Sequence, residues 1–174
     1  MANSKAKNFL LGNLLVLLGL ACAIIAIFMP FANGLKLVDS GNSTELRSGF
    51  SYVFGVKGGG LLGGDVPNVA VATAGWILIL IGTLLAVAII PPAFMTKNGL
   101  RIGKFTFGQV LGAGAALLLL VGGILFFFVA LAYANYLGVD ASNVALGPAF
   151  VLGGIAAVVG AVFCCLPLFV TLKK

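Results

Sequence analysis

The stretch VLGAGAALLLLVGGILFFFVALAYA, Val110–Ala134, is 25 residues long and carries no charged side chain. In a helix, about 20 apolar residues rise roughly 30 Å, the thickness of a bilayer's hydrocarbon core. A single Lys, Arg or Asp at its centre would cost about 2.5–3.5 kcal/mol on insertion scales. Three more runs have the same character: Phe9–Met29, Val71–Ile90 and Ala149–Leu172. All fourteen charged residues lie outside the four runs. The expected fold is an all-α membrane protein: a four-helix transmembrane bundle in one membrane domain, residues 1–174, with a small extracytoplasmic β-hairpin or sheet in the first outer loop. The expected connections are residues 30–70 (outer), 91–109 (inner) and 135–148 (outer).

Composition supports this class. The chain is 61% hydrophobic and only 8% charged, whereas a soluble domain carries about 25% charged residues. The first run follows Lys5 and Lys7, as a secretory signal would. It is longer than the usual apolar core of about 7–15 residues, and no small-x-small cleavage pattern follows it. It reads as a retained first span.

The net charge of +6 is unevenly placed. Lys5, Lys7, Lys97, Arg101, Lys104, Lys173 and Lys174 fall at the ends expected inside, giving +7. Lys36, Arg47, Lys57, Asp39, Glu45, Asp65 and Asp140 fall outside, giving −1. That asymmetry follows the positive-inside rule and places both termini in the cytoplasm, in a plasma or inner membrane. The basic residues then set topology and attract lipid headgroups, and no nucleic-acid partner is expected.

Catalytic chemistry finds little material. The chain has no histidine, which removes the commonest metal ligand and general base. No cofactor and no metal site is expected, and the chain does not read as an enzyme. The three cysteines, Cys22, Cys164 and Cys165, all lie in spans, so no disulfide framework braces the outer loops. Polar side chains well inside the spans are Asn13 and Thr83, read as local hydrogen-bonding residues. Ion-coupled transport would call for ionisable groups facing the bundle interior.

The loops carry the remaining signals. Asp39-Ser40-Gly41-Asn42 marks a turn after the alternating Leu35–Asp39. Phe50, Tyr52, Phe54 and Val56 recur at every second position, which predicts a half-buried strand with its aromatic face on the bundle and a surface for interaction. Five glycines crowd Lys57–Asp65. On the inner side Asn98-Gly99 is a hairpin signal. Trp76, near the outer end of the second span, reads as an interfacial anchor, and Pro167 as a kink late in the fourth.

Helices in lipid associate by close packing, so small residues one turn apart mark contact faces. Gly153 with Ala157, Ala156 with Gly160, Ala157 with Ala161, and Gly112 with Ala116 have that spacing. They suit packing within the bundle and contact with neighbouring chains alike.

The layout resembles the claudin-like tetraspans in outline: both termini inside, a long β-containing first outer loop and a short second one. That family's first outer loop carries a Gly-Leu-Trp motif and a Cys pair. Here that loop holds neither Trp nor Cys, so no functional residue carries over. The expected function is that of a non-enzymatic structural, accessory or assembly subunit. It would work through lateral helix packing and its outer loop, with membrane lipids around it, as a homo-oligomer or in a larger membrane complex. The alternative is a small passive transporter or channel subunit for a neutral solute.

Overall fold

The computed structural model describes residues 2–39, 42–45, 47–57, 65–89, 101–102 and 105–172; for residues 2–13, 39, 42–45, 101–102, 105–106 and 167–172 it describes the backbone alone. Its helices are α1 (Ala2–Phe28), α2 (Gly49–Phe54), α3 (Ala70–Ala88), α4 (Phe107–Phe127), α5 (Val129–Leu137) and α6 (Pro148–Leu172). Its strands are β1 (Leu35–Asp39), β2 (Asn42–Glu45), β3 (Arg101–Ile102), β4 (Phe105–Thr106) and β5 (Val144–Leu146). Four helices are long and apolar enough to cross a membrane, with apolar windows Leu14–Phe31, Ala70–Ala88, Phe107–Phe127 and Pro148–Leu166. Many of their side chains face outward, among them Leu17, Leu84, Leu117, Ile124 and Ile155. Water would penalise so broad an apolar girdle.

The bundle runs in the order α1, α6, α4, α3. α4 packs closely on α3 and on α6, and α6 on α1, while α1 and α3 meet over much less surface. Three glycine pairs fix the three close seams. A Cβ on Gly122 would lie 2.8 Å from the Gly75 carbonyl, and one on Gly75 would lie 3.1 Å from that of Gly122. Gly123 and Gly154 face each other in the same way at 2.9 and 3.0 Å, and Gly19 and Gly160 at 3.2 and 3.1 Å. Neighbouring helix residues point about 100° apart, so Gly122 and Gly123 let α4 touch α3 on one side and α6 on the other. Phe126, Leu119, Ile79 and Phe150 fill the middle and are fully buried. The buried Thr83 hydroxyl donates to the Ile79 carbonyl of its own helix at 2.7 Å.

Three local features depart from the sequence reading. The alternating run at Phe50–Val56 is not a strand. Residues Gly49–Phe54 form helix α2, closed by Gly55 in the left-handed region at φ 74°. The third long helix is interrupted at Phe128, where its N–H turns to the Leu125 carbonyl and α5 continues to a left-handed Gly138. The connection between α5 and α6 contributes a strand: β5 pairs with β1 in the register Leu35↔Leu146 and Leu37↔Val144, giving a sheet of order β2-β1-β5. The β1–β2 hairpin turns where Asp39-Ser40-Gly41-Asn42 predicts. Asn98-Gly99 and the glycine cluster at 58–64 lie outside the described residues, as do the side chains of Asn13 and Pro167. The described pair on the opposite end is β3 with β4, flanking residues 103–104.

Candidate interaction surface at the sheet end

Three glycines hold the two connections of the sheet end together. Gly34 donates its N–H to Arg47 and Gly49 donates to Ala32, both at 2.9 Å, while Gly147 donates to Gly34 at 2.8 Å and Ala149 to Asn33 at 3.0 Å. Here backbone meets backbone with no room between. A Cβ on Gly34 would sit 2.8 Å from the Gly49 Cα, one on Gly49 3.0 Å from Pro30, and one on Gly147 would collide with the Asn33 carbonyl. The junction fixes the sheet to the start of α6 and the end of α1. Among the described residues, β2 forms one edge of the sheet and pairs on one side only, with β1.

Helix α2 is too short to stand alone, since a helix under about 12 residues is marginal in water. Its last carbonyls are held by the beginning of α3. The Val69 N–H donates to Tyr52 O at 2.8 Å. The Asn68 amide and the Thr73 hydroxyl both donate to Val53 O, at 3.0 and 2.5 Å. These partners satisfy orphan carbonyls that any helix C-terminus leaves behind. Just beyond, Val56 and Val66 exchange two backbone hydrogen bonds and close the base of the intervening loop.

Helical geometry splits the four outer-loop residues picked out by alternation. Tyr52 points into the core at 1% exposure, against Tyr133 at 5.1 Å and Phe150 at 6.4 Å between ring centres. Burial raises its phenol well above the usual tyrosine range. Tyr133 adds to the rise, while a backbone hydrogen bond from Arg47 and the charge of Arg47 act the other way. Phe50 and Phe54, one turn apart, share the outward face and stack at 5.5 Å. Val56 is exposed beyond them.

Phe50 and Phe54 belong to a ridge of five rings that the sequence did not reveal. Phe28 stacks on Phe31 at 6.1 Å, and Phe31 meets Phe50 edge-on at 4.3 Å. Trp76 meets Phe50 at 5.8 Å and Phe54 at 5.3 Å. The ridge straddles the thin α1/α3 seam. Trp76 crosses that seam, donating its indole N–H to the Ile27 carbonyl at 3.2 Å. Its polar edge is therefore spent inside the protein, unlike that of an interfacial anchor that keeps its N–H for headgroups. Phe28, Phe31 and Phe54 remain more than half exposed.

The small residues singled out on α4 and α6 point inward. Ala116, Gly153, Ala157, Gly160 and Ala161 are buried, and Ala156 is half-buried. Gly112 is buried with Cys164 O 3.2 Å from where its Cβ would stand, Gly153 faces Phe126 and Met29, and Gly160 faces Gly19. Gly19, Gly75 and Gly154, which complete the reciprocal pairs, are not among the residues singled out by spacing, although Gly19 and the buried Ala23 stand four apart in the same pattern. Cys22, Cys164 and Cys165 are free thiols. Among the described residues no three His, Cys, Asp or Glu side chains gather as a metal site requires.

Comparison with known protein families, with curated proteins and with solved structures gives no match.

Proposed function

We propose that this chain is a non-enzymatic multi-pass protein of the plasma or inner membrane, with both termini cytoplasmic and the sheet end outside. In this reading it acts as a structural or assembly subunit, alone in several copies or within a larger membrane complex. Charge placement supports the orientation, with +7 on the ends assigned inside and −1 on the sheet side. The observation that carries the function is the sheet itself. Both outer connections are locked into one cap whose β2 edge, among the described residues, is open along one side. An open edge offers unpaired backbone groups that another chain's strand can join. The packed middle of the bundle, with Phe126, Leu119, Ile79 and Phe150 fully buried, favours this reading over a solute path through a single copy.

The edge can be tested without touching the bundle. Asp39↔Asn42 closes a two-residue loop, so Asn42 and Thr44 bond to β1, and the backbone of Ser43 faces outward by the alternation of an antiparallel ladder. Ser43→Pro removes one outward N–H and keeps every bond to β1. We expect the variant to insert and unfold like the parent but to lose the assemblies seen when mild-detergent extracts are weighed intact. Unchanged assembly mass with Ser43→Pro counts against the edge.

A further inference from the structure

Among the described residues the outward face of α2 meets only the rings of Phe31 and Trp76 and stays largely uncovered, and its depth says what covers it. Trp76 lies six residues inside the start of α3, which is about 9 Å along the helix axis at 1.5 Å per residue. Phe50 and Phe54 stand on its ring, at 5.8 and 5.3 Å. The Trp76–Ile27 hydrogen bond puts the end of α1 at the same level. Helix α2 therefore lies beside the first turn of an apolar span, its Tyr52 and Val53 carbonyls held by Val69 and Thr73, and its rings meet that of Trp76 from the second turn. Its sequence, Gly49-Phe50-Ser51-Tyr52-Val53-Phe54, is apolar on both faces. A helix in an aqueous loop would turn polar residues outward; one that is apolar all round sits in a core or in lipid. The inner face meets the core through Tyr52 and Val53, both fully buried, while Phe54 is 57% and Phe31 67% exposed. Phenylalanine has no polar tip to satisfy water, and the ridge runs without a break into the exposed Phe28 and Ile24 of α1.

We propose that α2 is a membrane-seated helix and that the ridge Phe28, Phe31, Phe50, Phe54 binds the bilayer's lipid at the border of headgroups and acyl chains, over the α1/α3 seam. The first outer connection is then partly immersed, and the sheet rests at the membrane surface. The inference depends on the four helices crossing a bilayer and is independent of strand-edge association.

The test moves the tryptophan. In the double variant Phe54→Trp, Trp76→Phe, and separately in Phe31→Trp, Trp76→Phe, the protein is reconstituted in phosphatidylcholine vesicles, plain or brominated on the acyl chains near the glycerol end. A helix at this border sits about 5–10 Å into the boundary, so bromine should cut the emission roughly twofold. Aqueous acrylamide should quench little. Leu84→Trp, Trp76→Phe is the control, because Leu84 is 61% exposed in the last third of α3, within its apolar window. Quenching by acrylamide and not by bromine at residues 54 and 31, with bromine quenching at 84, overturns the seating of α2 and leaves the spanning helices intact. Resistance to both quenchers at 54 and 31 also overturns it, since another protein would then cover the ridge. Acrylamide quenching at all three positions overturns the membrane reading itself.

Discussion

Replacing Gly122 with alanine strikes the closest approach between two long helices. The new Cβ would stand 2.8 Å from the Gly75 carbonyl oxygen and 2.8 Å from Ile79 Cγ1, where ordinary contact begins at 3.4 Å. Ile79 has rotamer freedom, but the carbonyl belongs to the α3 backbone, so the two helices must part by up to 0.6 Å, the difference of those distances. Overpacking of this kind costs about 1–3 kcal/mol. Alanine returns up to about 1 kcal/mol through its better helix propensity. The net expectation is a loss of up to about 2 kcal/mol. Gly114 on the same helix is the comparison, because its nearest neighbour would be Leu85 Cδ1 at 3.5 Å. Gly114→Ala keeps the propensity gain and meets no obstacle. The two variants should differ by about 2 kcal/mol, roughly 30-fold in the folded-to-unfolded ratio. Reversible unfolding in mixed detergent micelles reads this difference. If Gly122→Ala is as stable as Gly114→Ala, the reciprocal glycine seam does not set the helix spacing and the packing argument is wrong.

Other outcomes follow from the sheet end. Gly147→Ala forces its methyl onto the Asn33 carbonyl and should cost about 1–3 kcal/mol; amide exchange should quicken in β1 and β5 while α3, α4 and α6 keep their protection. Thr73→Val removes one of two donors to Val53 O, worth about 1 kcal/mol, and should quicken exchange in α2 before any other helix. The raised Tyr52 phenol has a pH signature. An acid whose folded value lies above its unfolded value, about 10 for tyrosine, contributes stability that is complete below that pH and is lost as pH rises through the folded value. The parent should therefore lose stability above about pH 10 in a way that Tyr52→Phe does not, read as denaturation midpoints across alkaline buffers.

The long helices were legible because the bilayer imposes a length and a charge rule that 20-residue windows can display. The β1–β2 turn was legible because Gly41 and Asn42 announce it locally. Helix α2 was not. Phe50, Tyr52 and Phe54 alternate in sequence, yet the helix turns Tyr52 into the core and Phe50 and Phe54 outward, so alternation did not mark one buried face. What makes the segment helical lies elsewhere, in Asn68, Val69 and Thr73. Strand β5 is three ordinary residues whose pairing comes from β1, more than a hundred positions earlier. The junction of Gly34, Gly49 and Gly147 is equally long-range, and each glycine alone reads as a loop residue. Small-residue spacing on α4 and α6 carries no information about which residues of α1 and α3 they meet. The ridge was hidden for the same reason: five rings from three segments of the chain converge only after folding.

Topology is the claim on which the rest stands, and cysteine labelling addresses it directly. With Cys22, Cys164 and Cys165 replaced by alanine, Ser43→Cys and Lys174→Cys are each exposed to a membrane-impermeant maleimide in intact cells. The account predicts that the residue-43 variant reacts at once and the residue-174 variant only after lysis. Reaction at 174 with silence at 43, or immediate reaction at both, would contradict a chain that crosses the bilayer four times from the cytoplasm.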